Sequence, residues 1–133
     1  MVGPKGEIRL SLTAEPKSVA MARRAVSELA AQLGIEEPVL GDLKTIVSEA
    51  CSNVVRHAYP ETEGSFELEA LPEGGNLTII VRDSGAGMRP GVQTEPASLR
   101  LGLGLISILS SHFEISDGPG GGTEVLMQIP LPS

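Results

Sequence analysis

The stretch from Leu40 to Pro60 constrains this chain more than any other. Leu40, Leu43, Ile46, Val47, Ala50, Val54 and Ala58 recur at three- and four-residue intervals, which gathers apolar side chains on one face of a helix. Pro60 ends it. At the edge of that stripe stand Glu49 and Asn53, an i, i+4 pair about 6 Å apart on one side of the helix. At about 100° per residue, Asn53 lies about 40° from Glu49, Arg56 about 20° the other way and His57 about 80° away. Such a rim suits a ligand pocket, with Glu49 to accept a proton and Asn53 to offer an amide oxygen to a hard cation. A solvated helix rim has the same composition, so the helix alone leaves both readings open.

The rest of the chain supplies partners for that helix. Glu7 to Thr13 alternates as a half-buried strand does. Pro16 opens a helix running to about Leu33, with Val19, Ala22, Val26 and Leu29 on one face and Gly34 as its stop. A second helix follows Pro38 and reaches about Tyr59. Ser65 to Leu71 and Asn76 to Asp83 read as strands joined by the loop Pro72 to Gly75, a hairpin connection. Met88 to Arg100 reads as a loop, of the length that often serves as a lid. Leu103 to Ser111 reads as a short helix, and His112 to Asp117 and Thr123 to Pro130 as strands joined by GPGGG. Hairpins with few crossovers predict an α+β fold in two layers, a mixed, mainly antiparallel sheet with helices on one face. A chain of 133 residues fits one domain, 1–133.

Composition narrows the partners. The net charge of −7 and only three aromatic residues argue against a phosphate backbone held by basic patches, or bases stacked on rings. Direct nucleic-acid binding is not expected. Cys51 is the single cysteine, so no intrachain disulfide forms and a reducing compartment is the natural setting. The start MVGPKGEIRL lacks a signal-peptide pattern, and no window approaches the roughly 18 apolar residues that span a bilayer. The expected location is the cytoplasm, off the membrane. His57 and His112 lack the partners and spacing of a zinc site.

Three glycine motifs carry chemistry. DSGAG, Asp83 to Gly87, puts a carboxylate at the end of an apolar strand, placed to accept a hydrogen bond from an amino group such as that of adenine. A plain Asp-x-Gly turn explains the same letters. RLGLGL, Arg100 to Leu105, places Gly102 and Gly104 at a helix start, where bare N–H groups cradle phosphate. GGGT, Gly120 to Thr123, is a hairpin turn that also brings the Thr123 hydroxyl to the sheet edge near the strand of Asp83.

In this order, ExxxN on a helix, DxGxG after a strand, GxG opening a later helix and Gly-Thr before the last strand resemble the ATP site of the GHKL superfamily. That group includes gyrase, mismatch-repair ATPases and histidine kinases. Within it, SEACSNVVRHAYP and the small size look like the anti-sigma factor serine kinases of bacterial sporulation and stress response.

The resemblance implies a Bergerat-type fold, ATP or ADP with Mg2+ as cofactors, and a role for each matching residue. Glu49 becomes the general base toward a substrate serine, and Asn53 the metal ligand. Asp83 binds the adenine amine with Thr123 beside it. Gly85, Gly87, Gly102 and Gly104 shape the phosphate pocket under a Met88 to Leu101 lid. Further nucleotide contacts fall to Arg56, His57, Met88, Leu103 and Leu105, while Arg100 meets the terminal phosphate or the partner. Leu101 stands where many relatives carry another glycine. The implied partners are a sigma factor, an anti-anti-sigma (STAS-type) substrate protein and a second copy of the chain. Two other readings are a nucleotide-binding module that sequesters without phosphorylating, and a histidine-kinase-type ATPase domain working in trans.

Overall fold

The computed structural model describes residues 6–58, 64–85, 104, 106, 109–117 and 122–132, the side chains of 57 and 58 excepted. Strand β1 (Ile8–Thr13) leads into helix α1 (Pro16–Gln32) and helix α2 (Val39–Asn53). Strands β2 (Ser65–Glu73), β3 (Asn76–Asp83), β4 (His112–Asp117) and β5 (Thr123–Pro130) follow. They form one sheet in the order β1-β2-β3-β5-β4. All four ladders are antiparallel, so the mixed component expected from the sequence is not found among the described residues.

Local chemistry fixes the joints. Pro16 sits in the first turn of α1, where a missing N–H costs nothing. At the other end Gly34 takes φ 89°. Its N–H donates to the Ala31 carbonyl, and the Ile35 N–H donates to that of Ala30, the paired bonds of a Schellman stop. The β2–β3 turn is tighter than PEGG suggests. Both strands run to Glu73 and Asn76, leaving Gly74 (φ 58°) and Gly75 (φ 83°) as a two-residue turn. Positive φ at both places is what the type I′ twist requires. Pro72 is tolerated inside β2 because β1 pairs only as far as Ala70 and asks no N–H of it.

The core lies between the sheet and the two helices. Alternate residues of the sheet, among them Ile8, Leu12, Phe66, Leu68, Ile79, Val81 and Met127, join Val26 and Leu29 of α1 and Leu43, Ile46 and Val47 of α2 in one buried cluster. Val19 and Leu40, expected in the stripes, are only partly buried at its margin. The opposite face of the sheet is polar. There Arg82 bridges Glu69 (3.1 Å) and Glu124 (2.7 Å), tying β2, β3 and β5 together. The helices therefore cover one face, as the alternation predicts.

Candidate functional site

Helix α2 does not run regularly to Tyr59. It changes at Val54 into a π-helical turn, Val54–Ala58, directly after Asn53. Single π turns inside helices recur at functional sites because the widened turn re-aims its side chains. Here the angular offsets that grouped Arg56 and His57 with Glu49 no longer apply. Glu49 lines a cavity of about 410 Å3 between the helices, with Arg23, Lys44 and Ser48. Arg56 is exposed and lines a different cavity, of about 330 Å3, with Pro16, Val19, Ser52 and Val55. His57 has its backbone in the π turn, and its side chain lies outside the described residues.

Asn53 is the anomaly of the helix. The residue is 8% exposed, and neither its Oδ1 nor its Nδ2 has a hydrogen-bond partner among the described residues. A buried polar group left unpaired costs about 1–3 kcal/mol. Two such atoms on one side chain leave a carboxamide that a bound group would satisfy. A Mg2+ ion fits this test, since it takes one or two protein oxygens and completes its shell with phosphate oxygens and water. No group of three His, Cys, Asp or Glu residues that could hold a metal occurs among the described residues.

At the end of the sheet, Asp83 closes β3 on the helix-facing side, in step with buried Leu77, Ile79 and Val81. It is paired in register with Phe66 of β2 and Thr123 of β5. The Gly85 N–H donates to Asp83 Oδ1 at 2.9 Å. Burial pushes the Asp83 carboxyl above the usual range, against the downward pull of the nearby Gly85 and Thr123 backbone N–H groups. The result is a fixed acceptor at a sheet end, held by backbone and therefore pre-oriented.

Of the remaining expected site residues, Gly104 is helical and exposed, with nothing within 4 Å of where a Cβ would lie. Ile106 and Leu109 are helical too, in keeping with the short helix expected there. Gly87, Met88, Arg100, Gly102, Leu103 and Leu105 lie outside the described residues, as does the Met88 to Arg100 loop. Two residues at the site escaped the sequence reading. Lys44 shares the Glu49 cavity, but at about 100° per residue its five-residue offset sets it about 140° round the helix, so spacing gave no signal. Phe66, opposite Asp83, left no signal, because a strand pairing is not visible in the strand. Cys51 is buried among apolar neighbours, and desolvation pushes its thiol up to about 12, which removes it as a nucleophile near neutral pH.

Comparison with known proteins meets this geometry from another side. The profile of the histidine kinase-like ATPase domain matches residues 12–129. The chain is 31% identical over 129 residues to an anti-sigma F factor of Thermoanaerobacter sp. (strain X514), covering 90% of each. It is 37% identical over 79 residues to the serine-protein kinase RsbW of Bacillus velezensis, covering 59% of this chain and 49% of that one. Among solved structures, the RsbU and RsbW domains of a Mycobacterium tuberculosis protein superpose with a TM-score of 0.73 at 25% identity. That match takes in 94% of this chain and 32% of the other. A blue-light activated histidine kinase of Erythrobacter litoralis shares the fold at a TM-score of 0.59. With most of its length matched by profile, sequence and fold alike, this chain belongs to the histidine kinase-like ATPase domain family, in its group of anti-sigma factors.

Proposed function

We propose that this protein is an ATP-dependent serine kinase that also acts as an anti-sigma factor, holding a sigma factor in one state and phosphorylating an anti-anti-sigma protein in another. The observation that carries the reading is Asn53, a buried carboxamide without a partner among the described residues, four residues beyond Glu49 on one helix. The relatives named for sigma F and for serine-protein kinase activity support the partner and the reaction class. In this reading the protein works in the cytoplasm as a homodimer, and one domain spans 1–133.

Phosphoryl transfer asks the protein for positioning and charge placement more than for covalent chemistry. When bound, Mg2+–ATP supplies the transferable phosphoryl group and part of its charge neutralisation. Asn53 Oδ1 is the atom that would hold the metal. Asp83, held by the Gly85 N–H, accepts a hydrogen bond from the adenine amine. Glu49, partly exposed beside a cavity open to an incoming protein, takes the proton from the acceptor serine hydroxyl as its oxygen attacks. Gly104 keeps a helix N–H bare for phosphate oxygens.

The test is transfer of labelled phosphate from ATP, with Mg2+, to candidate anti-anti-sigma proteins, alongside a nucleotide titration. Transfer to serine, lost in Glu49→Gln, is the expected result. Nucleotide binding without transfer to any STAS-type acceptor would replace the kinase with a sequestering module, and an acid-labile phosphate on the chain itself with a histidine-kinase-type domain.

A further inference from the structure

Helix α2 leaves its regular path at one place. The Val54 N–H still donates to the Ala50 carbonyl, as an α-helix requires, and the turn Val54–Ala58 then widens into π form. A π turn bonds residues five apart instead of four, so it carries about one residue more than an α turn. Side chains beyond its start are therefore set back by about one position, or about 100°. Arg56 shows the offset. A regular helix would put it about 20° from Glu49. It lies instead with Ser52 and Val55 against Pro16 and Val19 at the start of α1, in a cavity that neither Glu49 nor Asn53 lines. Asn53 borders the same turn. Both atoms of its carboxamide are shut off from solvent, with no hydrogen-bond partner among the described residues.

Resting on the nucleotide-binding reading above, we propose that Val54–Ala58 is a two-position switch governed by the Asn53 carboxamide. With the carboxamide unpaired the turn is π and Arg56 lies along α1. Once the carboxamide is engaged by the metal–nucleotide complex, the turn tightens to α and carries Arg56 round to the face of Glu49.

The direction of the switch follows from access. A ligand shifts a two-state equilibrium only through a difference in its affinity for the two forms. In the π form the Asn53 carboxamide is closed to solvent, so a form that opens it binds the ligand better. The departure from regular helix that adjoins Asn53 is the π turn, which makes it the element that moves. Its sequence suits both settings. Val54 and Val55 are β-branched and lose side-chain freedom in an α-helix, yet no Gly or Pro forbids one. The result is a cation that reaches the Glu49 face only when that face is loaded, and that is not held against the Glu49 carboxylate when it is empty.

Two measurements test this. In the first, nitroxide labels are attached at Lys17→Cys and Arg56→Cys in a Cys51→Ala background. The distance between them is read by electron paramagnetic resonance without ligand and at saturating Mg2+–ATP. A side-chain end about 5–6 Å from the helix axis, swept through about 100°, moves about 8 Å. The expected result is a lengthening of several Å, while a Lys17→Cys, Thr45→Cys pair, which lies before the turn, keeps its distance. No change in the first pair, or equal changes in both, overturns the switch.

The second measurement keeps the guanidinium. Val19→Glu sets a carboxylate in the cavity beside Arg56 and holds it there, so ATP affinity should fall about fivefold. In an Arg56→Ala background the same substitution should leave affinity unchanged. Equal losses in the two backgrounds, or no loss in either, also overturn the switch. Failure of the wild-type chain to bind ATP overturns the nucleotide reading beneath it, a result seen before any variant is compared.

Discussion

Asp83, the last residue of β3, is paired in register with Thr123, the first of β5, and its Oδ1 accepts a hydrogen bond from the Gly85 N–H at 2.9 Å. The Gly85 contact makes the last residue of a core strand into an oriented acceptor. Asp83 is 9% exposed, and burial outweighs the two nearby N–H groups, so its carboxyl holds a proton to higher pH than in the unfolded chain.

A folded-state pKa raised above the unfolded one has a definite linkage. Stability from this group is greatest when the carboxyl is protonated and falls as pH rises through the folded pKa. Asn at 83 does not titrate. Wild type should therefore gain on Asp83→Asn as pH is lowered from neutral through that range, read as the difference between their melting temperatures. A wild type that instead loses ground as the solution is acidified would mean that the two N–H groups outweigh desolvation.

Asn53 makes the opposite bargain between stability and binding. Without nucleotide, its unpaired carboxamide costs stability, so Asn53→Ala should melt at or above the wild-type temperature, a gain of up to about 1–2 kcal/mol. With Mg2+ and ATP, wild type should rise in melting temperature by mass action and Asn53→Ala should not. A large loss of stability in Asn53→Ala without ligand would show that the side chain is structural.

Glu49 is expected to split binding from chemistry. Glu49→Gln keeps shape and loses the base, so serine transfer should drop by about 10²–10⁴ while ATP affinity moves only a few-fold. Equal transfer by both proteins would remove Glu49 from the reaction. A parallel loss of ATP affinity would make it a nucleotide ligand instead.

Much of this was legible in the sequence for a plain reason. The runs Asn76 to Asp83, His112 to Asp117 and Thr123 to Pro130 match the bounds of β3, β4 and β5, because the glycine- and proline-rich turns beside them stop the strands there. Gly34 signalled the stop of α1 because only a residue comfortable at positive φ closes a Schellman turn. The π turn at Val54–Ala58 was not legible: VVRHA contains no Gly or Pro, and its apolar spacing continues the helix. Glu49 and Asn53 could be paired by counting along one helix. The placement of Phe66 against Asp83 is set by which strands become neighbours, and no local pattern encodes that.

Cys51 offers a probe of opening. A thiol pushed up to about 12 is almost entirely protonated at pH 8, with roughly 10³ less thiolate than a free cysteine. Alkylation of the native protein should therefore wait on opening of the core, and bound ATP should slow it further. Rapid labelling in native buffer, unaffected by ATP, would contradict the buried position.

Magnitudes should also separate the two faces of the sheet. Phe66 is 2% exposed and packs at the sheet end beside Asp83, so Phe66→Ala should cost about 3–5 kcal/mol. Arg82 makes two ion pairs on the open face, with side-chain exposures of 28% for itself, 19% for Glu69 and 27% for Glu124. Partial exposure and salt screening discount those pairs, and Arg82→Ala should cost about 1 kcal/mol or less, shrinking as salt is added. Denaturant unfolding of the two variants at low and high salt checks both numbers. A salt-independent cost for Arg82→Ala equal to that of Phe66→Ala would place the main cohesion of the sheet on its polar face, against the packing described here.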